Sequence, residues 1–116
     1  DTPVLVRLSG VTGVHDPIRD LPGAYALYSN YPNPFNPTTV IRYALPVPSR
    51  VGLHVFDVLG REVAALVSGD QPAGYKSITW DAGHLASGMY FCRIEAAGIA
   101  DPSKTFTQIR KMMLLK

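Results

Sequence analysis

Apolar and polar side chains alternate along most of this chain in short runs, and each run is cut off by glycine, proline or aspartate. A period of two sends successive side chains to opposite faces, as in a strand with one face buried, whereas a helix needs a period of 3.6. Thr39–Leu45 puts Ile41, Tyr43 and Leu45 on one face and Val40, Arg42 and Ala44 on the other, before the turn PVPSR. Val51–Asp57 places Val51, Leu53 and Val55 inward and His54 and Phe56 outward. Leu59-Gly60 then turns the chain into REVAALV, read as the second arm of a hairpin or, alternatively, a helical turn. The stretch SGDQPAG reads as a loop, and Tyr75–Trp80 as a strand with Ile78 and Trp80 at one parity. Gly88–Ala97 and Thr105–Leu115 complete the set. Tyr25–Tyr31 makes a first strand, stopped by NPFNP, since Pro32, Pro34 and Pro37 have no N–H for a ladder.

Strands beginning near 25, 39, 51, 61, 75, 89 and 105 predict an all-β fold: an immunoglobulin-like antiparallel β-sandwich of about seven strands. No Cys…Trp…Cys pattern exists, so the antibody-type disulfide is absent from the scheme. A further strand-like arm, Thr2–Ser9, precedes the sandwich, with Val4, Leu5, Val6 and Leu8 as its apolar core. Residues 10–24 carry glycines, prolines and mixed charge, the composition of a connection. The expected division is therefore an arm and linker over 1–24 and the sandwich over 25–116. The arm would be a remnant of an upstream domain or a donor strand.

The 116 residues have room for one core. A formal charge of +2 with scattered Lys and Arg is far from the cationic stripe that nucleic acid requires. No apolar run reaches the ~18 residues of a spanning helix, and no secretory leader precedes Asp1, which reads as a mature product or a fragment. The lone Cys92 has no internal disulfide partner.

From Asn30 onward five blocks are distinctive: NYPNPFNPTTVIRYALP at 30–46, VGLHVFDVLGREVAAL at 51–66, AGYKSITWDA at 73–82, LASGMYFCRI at 85–94 and KMMLLK at 111–116. Together, in this order and spacing, they resemble the type A C-terminal sorting domain of type IX secretion. The resemblance implies a module that directs export across the outer membrane and attachment at the cell surface. It implies an outer-membrane secretion translocon as partner, a cargo domain N-terminal to the module and absent from this chain, and a secreted or cell-surface location. Recognition would fall on Lys111, Met112, Met113, Leu114, Leu115 and Lys116, and the turn motif on Asp57, Gly60 and Arg61. Two positions depart from the family pattern: Cys92 replaces an aromatic, and Ala82-Gly83 replaces the commoner glycine after Trp80-Asp81.

The same residues have plainer readings. Asn33, Pro34, Phe35, Asn36 and Pro37 form a rigid loop open to recognition, yet Phe35 is better placed to plug the end of the sandwich while the asparagines satisfy turn backbone. Gly60 supplies the positive φ of a hairpin turn and Arg61 is solvated. Trp80 and Asp81 have the makings of a sugar-stacking platform, but a single Trp at core parity packs, and Asp81 caps the following turn. The six tyrosines read as core and edge filling. His15, His54 and His84 lack the close spacing of metal ligands, and Asp57, Asp70 and Asp81 make no calcium loop. No serine sits in a nucleophile elbow. The sequence thus predicts no catalysis, no metal and no cofactor.

Two other functions compete with export. Exchange of Val4–Leu8 into the open sheet edge of a neighbour would build a homo-oligomeric fibre. A carbohydrate-binding accessory module of a secreted hydrolase rests on Trp80, the tyrosines and the sandwich alone.

Overall fold

Seven strands form the described part of the chain, residues 21–116 of a computed structural model. They are β1 Ala26–Leu27, β2 Thr38–Leu45, β3 Ser49–Phe56, β4 Glu62–Gln71, β5 Gly74–Asp81, β6 Gly88–Gly98 and β7 Thr105–Leu114. The arm Thr2–Ser9, with Val4, Leu5, Val6 and Leu8, and His15 lie outside the described residues. All strand pairings are antiparallel, in one sheet of order β1-β2-β5 and another of order β4-β3-β6-β7. This is the two-layer sandwich that the alternation calls for.

Parity decides the core. Ile41, Tyr43 and Leu45 of β2 and Val51, Leu53 and Val55 of β3 are all buried, meeting Cys92, Ile94 and Ala96 of β6. Each such large side chain removed from water contributes about 1.5–3 kcal/mol before conformational entropy is counted. Cys92 thus sits where a small apolar residue is wanted.

Three readings change. The first strand is confined to Ala26–Leu27, because the chain beyond it bends into the proline loop, leaving only an isolated bridge from Tyr31 to Val40. REVAALV is the hairpin arm and not the helical turn, and Glu62–Gln71 is strand throughout, running on into what reads as the loop SGDQPAG: Ser68, Gly69 and Asp70 pair with Gly52, Val51 and Arg50. Tyr28, Tyr31 and Tyr75 are exposed rather than core filling, at 40, 71 and 64 %. The β3–β4 ladder shifts register between Leu53 and His54 and between Val55 and Phe56. Such irregularities bend an edge strand away from foreign partners.

The registers define two poles. Thr38 faces Asp81, Phe56 faces Glu62 and Phe91, and Gly88 faces Leu114. One pole therefore gathers the proline loop 30–37, the turn 57–61, the connection 82–87 and the chain end at 115–116. The opposite pole holds the turns 46–48, 72–73 and 99–104. There Tyr25 enters the sandwich, its hydroxyl 2.8 Å from Ser49 Oγ and its ring stacked 5.5 Å from Phe106.

Candidate recognition site

Two stretches far apart in sequence meet at the first pole. The proline loop lies along the outer edge of β7, and Phe35 forms a parallel bridge with Leu114. The Phe35 amide donates to the Met113 carbonyl at 2.9 Å, and the Leu115 amide donates to the Phe35 carbonyl at 3.0 Å. Asn33 extends the grip, its Oδ1 accepting from the Met113 amide at 3.0 Å and its Nδ2 facing the Lys111 carbonyl at 3.4 Å. An edge strand would otherwise present these groups unpaired.

The loop can do this because it is held in shape from within. Asn30 is buried, and its Nδ2 donates to Thr39 Oγ1 at 3.0 Å; Thr39 in turn donates to the Pro32 carbonyl at 2.9 Å. At the loop's far end the Ala82 amide donates to the Pro37 carbonyl. Phe35 fills the end of the core as the plainer reading has it, 5.7 Å from the Trp80 ring, while Tyr90 meets Trp80 edge-on at 6.3 Å. Met112 and Leu114 complete that cluster and are fully buried.

Trp80 is 5 % exposed, so its indole face is not open for stacking, and Asp81 caps the next turn by accepting from the Gly83 amide at 2.8 Å. Ala82, the residue that follows Trp80-Asp81, is itself buried. The chain end is fastened to this connection. The Lys116 ammonium donates to the carbonyls of Gly83 and Leu85, each at 2.7 Å, and its amide to Ser87 Oγ at 2.9 Å. Lys111 and Leu115 remain exposed.

Gly60 and Arg61 lie at the same pole but on the β3–β4 turn, on the opposite side of β6 and β7 from the proline loop. Gly60 has φ +81°, the left-handed region a tight turn demands. Asp57 organises the turn: its carboxylate accepts from the amides of Leu59 and Arg61 and from Arg61 Nε, all within 3.0 Å. Loss of hydration alone would raise the Asp57 carboxyl, but these bonds and the Arg61 charge outweigh it and hold it below the usual aspartate value. Val58 and Leu59 at the tip are 67 and 74 % exposed.

Of the sequence candidates, the structure joins Asn33 and Phe35 to 111–116, leaves Pro34 and Asn36 on the exposed side of the loop, and keeps Gly60 and Arg61 apart. Sequence reading missed Asn30, Thr39, Ser87 and the carbonyls of Gly83 and Leu85. Backbone carbonyls carry no sequence signal. It also missed Gln108 and Arg110, whose side chains hold the Leu27 amide and carbonyl across the sandwich edge. Among the described residues no cluster of His, Cys, Asp and Glu is arranged to hold a metal.

The family model described as secretion system C-terminal sorting domain matches residues 29–108. No curated protein matches the chain. Among solved structures, dimeric latent PorU from Porphyromonas gingivalis is similar over 80 % of this chain, with 17 % identity and a TM-score of 0.56. The aligned part is 10 % of that chain's length, and at this identity the likeness is one of fold.

Proposed function

The chain belongs to the secretion system C-terminal sorting domain family of type IX secretion, and from that premise we propose that it is a non-catalytic export address read at the pole formed by the proline loop and the chain end. Its partner in this reading is the outer-membrane translocon, its cargo is joined upstream, and its destination is the cell surface or the medium. The observation that carries the reading is the pairing of Asn33 and Phe35 with residues 111–116, opposite the pole where Tyr25 enters the sandwich. A passenger attached upstream would then sit away from the surface to be read. A terminal strand clamped at its edge is also presented in one conformation, which lowers the entropic cost of recognition.

The test fuses a fluorescent passenger upstream and measures its export in a bacterium with a type IX system. Deleting 111–116 should abolish export, but it also removes buried Met112 and Leu114. The sharper variant is Lys111→Glu with Leu115→Ser, both exposed and compatible with the fold, compared with Val47→Ser and Ile99→Ser at the opposite pole. Loss of export in the first pair alone is expected. Equal export from both pairs, with melting temperatures unchanged, would exclude this pole as the surface that is read.

A further inference from the structure

The outer face of the three-stranded sheet carries a second feature, apart from the pole formed by the proline loop and the chain end. Tyr28 just past β1, Arg42 of β2 and Tyr75 of β5 come together, and a cleft of about 260 Å³ lies among them. The backbone places them together: the Tyr28 amide bonds the Arg42 carbonyl at 3.0 Å, and β5 pairs with β2 so that Ala44 faces Tyr75 and Arg42 faces Ser77. Arg42 and Tyr75 are thus diagonal neighbours on one face, a spacing that long and aromatic side chains bridge. Between them runs the Tyr43–Lys76 pair. Tyr43 turns its ring into the core, where its hydroxyl donates to Gln71, so it offers the cleft only its backbone.

Tyr28 and Tyr75 are 40 and 64 % exposed, and Arg42 is exposed with no carboxylate partner among the described residues. No acidic side chain among the described residues lines the cleft. We propose that this cleft binds a carboxylated sugar residue of an acidic glycan, with the tyrosine rings packing on the pyranose and the Arg42 guanidinium pairing with its carboxylate.

The size favours one ring. The cleft falls below the ~300–1,000 Å³ of pockets that enclose drug-sized ligands. Tyrosine offers a rigid amphipathic surface with an apolar face and a polar edge, suited to a ring that is apolar on one side and hydroxylated at its rim. A guanidinium presents paired N–H donors that match both oxygens of a carboxylate, which sets an acidic sugar apart from a neutral one. The proposal does not depend on the export reading.

The test is a two-dimensional NMR titration of the chain with trigalacturonic acid, using a neutral galactose trisaccharide, inorganic phosphate and a proline-rich peptide as competing probes. Saturable shifts should be confined to amides around Tyr28, Arg42, Tyr43 and Tyr75, with at least tenfold weaker binding of the neutral trisaccharide. Tyr75→Ala should weaken binding at least tenfold, and Arg42→Gln should erase the preference for the acid; as all three side chains are exposed, the melting temperature should hold. The proposal is overturned by no saturable shift, by equal response to inorganic phosphate, by preference for the peptide, or by unchanged binding in Tyr75→Ala.

Discussion

Phe35 and Leu114 stand 79 residues apart in sequence yet pair as a parallel bridge whose two hydrogen bonds run at 2.9 and 3.0 Å. Both side chains are buried, at 2 and 0 % exposure, so the bridge is packing and hydrogen bonding at once. Phe35→Ala removes the ring from the Trp80 cluster and should cost about 3–5 kcal/mol, the range for emptying an aromatic site in a core. Denaturant unfolding measures this. Amide exchange at Leu115 should accelerate more than at Ile94, because the loop loses its anchor at that end of the sandwich. A loss below about 1 kcal/mol would mean that the loop does not depend on its plug.

Acid should loosen the turn at Asp57. Its folded carboxyl lies below the ordinary value of 3.8, so ionisation favours the folded state. The contribution is whole above the unfolded pKa and is lost as pH falls through the folded one. Asp57→Asn keeps an acceptor for the Leu59 and Arg61 amides but cannot ionise. Its stability deficit relative to the native chain should therefore be constant near neutrality and shrink as pH drops below 3.8. A pH-independent deficit would show that the carboxylate charge contributes nothing.

Burial pushes the Cys92 thiol up from 9.0 to about 12. The thiolate needed for alkylation is accordingly scarce in the folded state and common only in the unfolded one. Cys92 should resist iodoacetamide in native buffer at mildly alkaline pH and react fully in guanidinium. By the same linkage the neutral thiol stabilises the fold below pH 9.0, and that contribution is lost as pH rises through about 12. Cys92→Ala should therefore show a shallower alkaline loss than the native chain. Rapid native labelling would contradict the packing of β6.

What the sequence discloses is set by the range of the interaction. Alternation fixes which face of a strand meets the core, so Ile41, Tyr43, Val51 and Leu53 are legible without a partner in view. Gly60 is legible because its turn is local. Gly69, by contrast, looks like a breaker, yet it extends β4 because Val51 stands ready to pair with it. Asn33 reads as turn chemistry, but it bonds the Met113 amide 80 residues away. Tyr28 and Tyr75 become neighbours of Arg42 only through the β1-β2-β5 order, which composition and spacing leave open. The family resemblance singles out 111–116 but says nothing of how the proline loop holds them.

The attachment of Lys116 can be separated from the core beneath it. Its ammonium bonds two carbonyls of the 82–87 connection, and its amide bonds Ser87, but the residue is exposed. Hydrogen bonds from a charged donor are individually worth up to ~1.5–3 kcal/mol, and solvent screening at an exposed site reduces this. Lys116→Met keeps the aliphatic stem and removes the donors. Global stability should then fall by no more than about 1 kcal/mol, while amides at 83–87 exchange faster and those of β3 do not. Adding Asn33→Ala frees the other edge of the same strand, and exchange at Met113 should rise as well. If the double variant protects Met113 as well as the native chain does, the edge clamp is incidental; if exchange rises there with the core unchanged, the chain end is held by these contacts rather than by packing alone.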